Sequence, residues 1–383
     1  MMRWRQSLAA GTMGMMLPLS TAVFAQQAPE FVPEQVTTKA DVGPGPHLFV
    51  AGDQRIHVID PLKLKYLGQI STGGRAQYAF SAKGDEVYIA TTFYSRGWTG
   101  EREDVLQIFD TTTLAAKTEY PVIEKVSMGG AGGKSLSPLS LDGRWMFIQN
   151  ATPAISVQLV DLTAKKVTGE IPTPGCWGIF PSTAAPLRFT SLCGDGKLVT
   201  YTINAAGTDA TAALSEQVFD ADADPLFVDP ERAGDNLIFT SFNGNIYEVN
   251  VAGPAAKLTR KFSIVTGLEG WKPGGAQLTT YLADSNILYV LMHDKGYDGS
   301  HTDAGKEVWA VDMKKRAVIS RSTIRPAKAI FVAGGDKPAL FGYGGEKEDA
   351  GVTRYAIDKT AAFTVREDAF KKLAAARPRL EVR

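Results

Sequence analysis

Residues Ser156-Val157-Gln158-Leu159-Val160-Asp161 are followed, after a short turn, by Val167-Thr168-Gly169-Glu170-Ile171. Such short runs rich in β-branched and apolar residues, bounded by turn residues, read as strands. The Asp at its end is followed by a short turn and another strand. The same apolar-Asp or apolar-Asn ending recurs at Ile59-Asp60, Phe109-Asp110, Ile203-Asn204, Val249-Asn250, Val311-Asp312 and Ile357-Asp358. The spacing is that of a repeat long enough to hold one small β-sheet. Gly-containing turns lead into some units: Ser81–Asp85 before Val87–Ala90, and Ser140–Gly143 before Trp145–Ile148. Further short strands are expected at His47–Ala51, Arg55–Ile59, Lys65–Ile70, Glu86–Thr91, Val105–Phe109 and Trp145–Gln149.

Seven units of this size, each with three or four short strands, predict an all-β fold, a seven-bladed β-propeller. One blade cannot bury both its faces, so blades pack around an axis and leave only short, protected edges. A solenoid would want a shorter and stricter period. A sandwich array would want linkers, and no Pro/Ser-rich stretch follows Val42–Pro46. Only Asp368–Ala376, with Phe370, Leu373 and Ala374, has the spacing of a short amphipathic helix.

Met1–Ala25 has the layout of a secretory signal peptide: Arg3 and Arg5, the apolar run Leu8–Leu19, then Ser20-Thr21-Ala22-Val23-Phe24-Ala25. The apolar run falls short of the ~20 residues that cross a bilayer. The reading is export to the periplasm with cleavage after Ala25, an N-terminal extension over residues 26–46, and a propeller over residues 47–383. Lys and Arg total 41, as do Asp and Glu. That balance speaks against nucleic acid or an anionic membrane surface as partner. The two cysteines, Cys176 and Cys193, favour a disulfide over free thiols in an oxidising compartment.

The catalytic inventory is thin. The chain has no G-x-S-x-G, P-loop, H-E-x-x-H or post-strand G-x-G-x-x-G motif. Its four histidines, at 47, 57, 293 and 301, are scattered, and no metal site is assigned. Asp220, Asp222 and Asp224 alternate, which suits either one side of an extended cation-binding segment or a solvated loop. The segment Thr91–Asp104 concentrates Phe93, Tyr94, Trp98, Arg96 and Arg102 where a hairpin is expected to be interrupted. It reads as a contact surface, or as a long turn braced by an Arg102–Asp104 pair. Gly270–Gly275 is a structural corner or a pocket rim.

These segments resemble the large (heavy, or α) subunit of the tryptophan tryptophylquinone amine dehydrogenases, the family of methylamine and aromatic amine dehydrogenase. The resemblance rests on Thr91-Thr92-Phe93 with Arg96, Gly100, Arg102 and Asp104; on Gln149–Ala154; and on Gly175-Cys176-Trp177. It continues through Cys193–Gly196, Asp224-Pro225, Gly244–Tyr247, Gly270–Gly275, Met292-His293 and Gly299-Ser300-His301 before Glu307-Val308-Trp309. The aromatic amine branch looks closer around Gln149–Ala154 and Met292–His301.

The resemblance implies a seven-bladed propeller, a Cys176–Cys193 disulfide, and a periplasmic heterotetramer of two large and two small chains. It implies oxidation of a primary amine to an aldehyde and ammonia, with electrons passing to a copper protein or cytochrome. The tryptophan tryptophylquinone and the catalytic base would lie on the small subunit, so this chain would hold no cofactor and no catalytic residue. In this family a phenylalanine after the first outer strand lines the substrate channel; here Gly74 stands at that place, which implies a wider or differently gated channel. Gly74, Phe93, Arg96 and Arg102 are the candidate channel or subunit-contact residues. The rival readings are a stand-alone propeller that binds a ligand or hydrolyses a lactone at an axial metal, and the propeller subunit of a haem-containing quinoprotein. The lack of C-x-x-C-H would place any covalent haem on a partner.

Overall fold

A computed structural model describes residues 41–43, 45–52, 54–126, 133–346, 349–375 and 379–383. The signal-peptide reading and residues 26–40 of the expected extension lie outside the described residues.

The recurring Asp is the local cause of the repeat. Asp60 Oδ1 accepts the backbone N–H of Leu62 at 2.8 Å and of Lys63 at 3.0 Å. Asp110, Asp161, Asp312 and Asp358 each cap the two amides at the same offsets. Soon after each Asp the backbone turns left-handed, at Leu64 (φ 50°), Leu114 (59°), Lys165 (53°), Arg316 (59°) and Ala362 (52°). Such φ values strain an L-residue, and the two amide bonds to the carboxylate hold the chain in place. At Asn204 the amide oxygen accepts Thr208 N–H instead, and Gly207 takes the positive φ. Each cap closes the turn between the third and fourth strands of one blade.

Seven sheets result. Blade 1 holds Leu48–Ala51, Arg55–Ile59 and Tyr66–Ser71; blade 2 holds Gly74–Phe80, Glu86–Tyr94, Arg102–Asp110 and Ala116–Pro121. Blade 3 has Trp145–Asn150, Ser156–Asp161 and Lys166–Pro172, and its inner position is an irregular segment with a single bridge from Leu139 to Met146. Blade 4 runs Cys176–Pro181, Arg188–Cys193, Leu198–Ile203 and Ala210–Leu214; blade 5 runs Glu231–Ala233, Asn236–Thr240, Asn245–Asn250 and Lys257–Ser263. In blade 6 the short pieces Lys272–Pro273 and Thr279–Leu282 both pair with Ile287–His293, followed by Gly305–Asp312 and Ala317–Ala327. Blade 7 is Ala329–Ala333, Ala339–Gly344, Gly351–Asp358 and Thr364–Lys372.

The chain's end then returns to its start. Arg379–Val382 pairs antiparallel with Leu48–Ala51 and becomes the innermost strand of blade 1. A closed ring has no unpaired inner edge. Aromatic pairs stitch neighbouring blades together: Phe49 against Phe80 at 4.6 Å, Phe147 against Phe189 at 5.5 Å, and Phe180 against Phe239 at 5.4 Å between centroids.

The expected helix at Asp368–Ala376 does not form. Residues 364–372 are the outer strand of blade 7, paired with Gly351–Asp358, and Ala376 lies outside the described residues. The open edge of Gly351–Asp358 offers a ladder of backbone bonds, and tertiary pairing overrides the local spacing. Among the described residues the helical pieces are two short 3-10 turns, Ala283–Ser285 and Ser300–Thr302, and no helix is long and apolar enough to cross a membrane.

Because strands alternate in direction, the ring has two unlike ends. One, the loop face, carries the connections between blades and those between second and third strands. The other, the turn face, carries the Asp-capped turns.

Candidate functional site

Thr91–Asp104 does not break its hairpin. Glu86–Tyr94 and Arg102–Asp110 pair without interruption from Glu86↔Asp110 to Tyr94↔Arg102, so the hairpin stands out beyond its blade on the loop face. Its tip closes through Ser95 N–H to Glu101 O and Arg96 N–H to Thr99 O, with Gly97 and Gly100 at positive φ. A Cβ on Gly100 would meet Ser95 Oγ, and that hydroxyl accepts Glu101 N–H. The tip presents Trp98 at 65 % exposure and Phe93 at 38 %.

Arg102 is held from below. Its guanidinium donates to both carboxylate oxygens of Asp104, at 2.8 and 2.7 Å, and to Val126 O at 3.1 Å. Asp104 is fully buried and also accepts Val126 N–H at 2.8 Å. The bracing alternative for this pair is therefore what the structure contains: Arg102 anchors the hairpin to the segment leading into blade 3. Arg96 sits exposed at the tip.

Gly74 begins the inner strand of blade 2 and pairs with Thr92. The neighbouring Gly73 faces the hairpin: a Cβ there would lie 2.7 Å from Phe93 Cε1, and Thr91 Oγ1 donates to Thr72 O at 2.7 Å. Phe93 thus packs into space that only a glycine at position 73 leaves free. Beside it opens a cleft of about 420 Å³ lined by Gln54, Arg55, Gln69, Ser71, Phe93 and Trp98. Of the four candidates, Phe93 lines this cleft, Gly74 follows the lining residue Gly73, Arg102 braces the hairpin, and Arg96 is exposed at the hairpin tip.

Cys176 and Cys193 are bonded and are direct cross-strand partners at the loop-face end of blade 4. Gly270–Gly275 is a corner whose Trp271 packs tilted against Trp309, 5.2 Å between ring centroids, with the Arg321 guanidinium 4.3 and 4.6 Å from the two centroids. A second, more apolar pocket, lined by Pro225, Leu226, Phe227, Phe242, Asp298 and His301, opens between blades 5 and 6. Asp220 and Asp222 are exposed, but Asp224 is buried and accepts Asn243 N–H, Asn245 Nδ2 and Tyr247 OH. The three carboxylates therefore do not face one site, and among the described residues no group of His, Cys, Asp and Glu is arranged to hold a metal ion. His57 and His293 are buried, and burial lowers the pKa of both.

One constellation was not legible in the sequence. Near the axis Lys134 pairs with Glu231, and Ser135 donates through N–H and Oγ to Asp229 Oδ1 at 3.0 and 2.6 Å. Arg379, from the closing strand, donates to Tyr78 O at 3.1 Å and to Glu381 at 3.0 Å, and its guanidinium lies 4.2 Å over the Tyr78 ring. Burial raises the pKa of Glu231, which Lys134 only partly offsets; burial acts the same way on Glu381, but Arg379 and Arg383 outweigh it and hold that carboxyl low. These groups come from opposite ends and the middle of the sequence, and they meet only because the ring closes. Their carboxylates converge as a lactonase-like axis would require, yet each is occupied by a cation or hydroxyl of the chain itself.

The loop face gathers most of the segments that carry the family resemblance. Residues 95–101, 151–155, 194–197, 241–244 and 294–304 connect second to third strands, while 173–175, 215–230 and 264–271 connect blades, all at the same end. They are scattered along most of the sequence, and only the ring brings them to one surface.

A sequence profile described as methylamine dehydrogenase heavy chain matches residues 41–361. The methylamine dehydrogenase heavy chain of Methylophilus methylotrophus is 27 % identical over 292 residues, covering 75 % of this chain and 71 % of that one. That of Methylobacillus flagellatus is 28 % identical over 262 residues, covering 67 % of this chain and 64 % of its own length. Among solved structures, dihydro-heme d1 dehydrogenase NirN in complex with DHE is similar with a TM-score of 0.56 at 13 % identity, covering 92 % of this chain and 77 % of that one, a likeness of fold alone. On the extent of the profile match and the order of its loop-face segments, the chain belongs to the methylamine dehydrogenase heavy-chain family.

Proposed function

We propose that this chain is the large subunit of a periplasmic quinoprotein amine dehydrogenase that oxidises a primary amine to an aldehyde and ammonia. The observation that carries the reading is the gathering of most of the family-like segments on the loop face, beside a cleft. A face that gathers long loops beside a cleft is what a subunit that frames a partner's active site would present.

In this reading the small subunit supplies the tryptophan tryptophylquinone and the base that takes the substrate proton, and a copper protein or cytochrome accepts the electrons. Two large and two small chains assemble after export and removal of residues 1–25. Phe93 and the Gly73-Gly74 wall border the substrate channel, Arg96 touches the partner, and Arg102 holds the hairpin in place. A cleft of about 420 Å³ lined by Phe93, Tyr94 and Trp98 together with Gln54, Arg55 and Gln69 suits an amine bulkier than the smallest.

The test is purification of the tagged full-length chain from the periplasm of its native host. The expected result is a second, small, cysteine-rich chain in equal amount that stains for a protein-bound quinone, with the large chain beginning at Gln26. A large chain that is always recovered alone would refute the reading.

A further inference from the structure

The cleft beside the blade 2 hairpin has two unlike walls. One is aromatic, with Phe93 and Trp98. The other is the loop-face end of blade 1, where Gln54, Arg55, Gln69 and Ser71 line it. Arg55 and Ser71 are cross-strand partners, as are His57 and Gln69, so the two-residue period puts Arg55, Gln69 and Ser71 on one side of the sheet. These side chains stand on paired strands rather than on a loose loop. The strand end is tied down by Gly52 N–H to Arg55 O at 2.9 Å and by Thr72 N–H to Gln54 O at 3.0 Å.

This polar wall is rich in hydrogen-bond donors. A guanidinium donates only, and an amide or a hydroxyl can donate as well as accept. Gln69 Oε1 already accepts the Tyr66 hydroxyl at 3.0 Å, which leaves the amide N–H donors as the end of Gln69 open to a ligand. Among the described lining residues Arg55 is the one ionised group, and no carboxylate in the lining answers it. Glu101 and Glu103 of the hairpin are exposed but do not line the cleft, and Arg102 is taken up by Asp104. Burial, and after it the Arg55 charge, lower the pKa of His57 on the same side of the sheet, so at neutral pH the imidazole adds no second cation.

We propose that this cleft selects primary amines carrying an anionic group, a carboxylate or sulfonate, at the end opposite the amino group, and that Arg55 sets the preference. The proposal rests on the proposed function for the reaction at the amino end. A simple alkylammonium brings a second positive charge to a cleft whose own charge is positive, and is disfavoured there. A substrate with an anionic end gains a charge-assisted hydrogen bond to Arg55, with Gln69 and Ser71 as donors to its remaining oxygens. Its apolar body lies against Phe93 and Trp98. The same cation repels the ammonium end, so the acid points toward blade 1 and the amine toward the open side of the cleft. A volume of about 420 Å³ holds a molecule of this kind.

The test uses the assembly recovered from the native host, with amine-dependent reduction of an artificial acceptor as the readout. The probes are para-aminomethylbenzoate and para-aminomethylbenzamide, which match in size and differ in charge. The acid should exceed the amide in kcat/KM by about tenfold, with the difference lying in KM. Arg55→Gln should bring the ratio to about one, and Arg55→Lys should keep part of it. Lys63→Gln, exposed on the turn face of the same blade, should keep all of it. Raising salt from about 50 mM to about 500 mM should shrink the wild-type ratio. A wild-type assembly that oxidises no primary amine, simple alkylamines included, contradicts the proposed function and this proposal with it. An assembly active on simple amines that prefers the amide, uses both probes equally or accepts neither overturns this proposal alone, as does a preference that survives Arg55→Gln. Loss of the small chain from the Arg55→Gln assembly also overturns it, because Arg55 would then answer a carboxylate of the partner.

Discussion

Arg102 and Trp98 sit close together on one hairpin and should behave oppositely. Asp104 is fully buried and takes two bonds from Arg102 and one from Val126 N–H. Arg102→Ala leaves that carboxylate buried with its cation gone, a loss of about 3 kcal/mol by the usual cost of breaking such a pair. Arg102→Lys should recover only part of it, because an ammonium cannot reproduce the two-pronged contact. Trp98→Ala, at a largely exposed position, should change stability by less than about 0.5 kcal/mol. Urea titrations of the three variants measure these differences, and equal destabilisation by Arg102→Ala and Trp98→Ala would contradict the division between brace and contact. The sequence named both residues but could not divide their roles. The two alternatives differ only in what lies beneath the hairpin, and Val126 belongs to a separate segment beyond the blade's outer strand.

At the scale of the element, the Asp-capped turn is where the sequence was most informative. Capping at fixed offsets is a local interaction, so it leaves a local signature in five blades, and the Asn endings at Asn204 and Asn250 complete the repeat of seven. The caps also imply a pH dependence. The amide of Thr113 holds the Asp110 carboxyl below its usual range, and the amide of Lys315 does the same for Asp312. A carboxyl more acidic in the folded chain than in the unfolded one stabilises the fold above the unfolded pKa of about 4, and that contribution is lost as pH falls through the folded value. Asp110→Asn should therefore lower the melting temperature near about pH 6 and have a smaller effect near about pH 3. A difference that grows on acidification would contradict the assignment. The helix expected over Asp368–Ala376 shows the limit of local signals: Phe370 and Leu373 have helical spacing, but residues 364–372 pair with an open strand that no local window can see.

For the whole molecule, what the sequence did not disclose was closure. The repeat accounts for seven units but not for Arg379–Val382 leaving blade 7 to complete blade 1, nor for the axial cluster that this return assembles. Gln277 of blade 6 clamps that strand through both amide atoms, donating to Leu380 O at 3.0 Å and accepting Leu380 N–H at 2.8 Å. Deleting residues 379–383 should remove the inner strand of blade 1, expose the core around Leu48 and Val50, and yield an aggregating chain without a cooperative thermal transition. A deletion variant that melts like the parent would show that the ring does not depend on this strand. The family resemblance was legible because its segments keep their order along the chain; their union on one face was not, since it follows from strand direction in a closed ring.

The proposed role of that face as the frame of a partner's active site is tested most directly by the rate of amine-dependent reduction of an artificial electron acceptor, measured for the purified large chain, the separated small chain and the two recombined. The account predicts turnover by the recombined pair, essentially none by the large chain alone, and loss of turnover when Trp98→Glu replaces the parent. Amine oxidation by the large chain alone, at the rate of the pair, would contradict it.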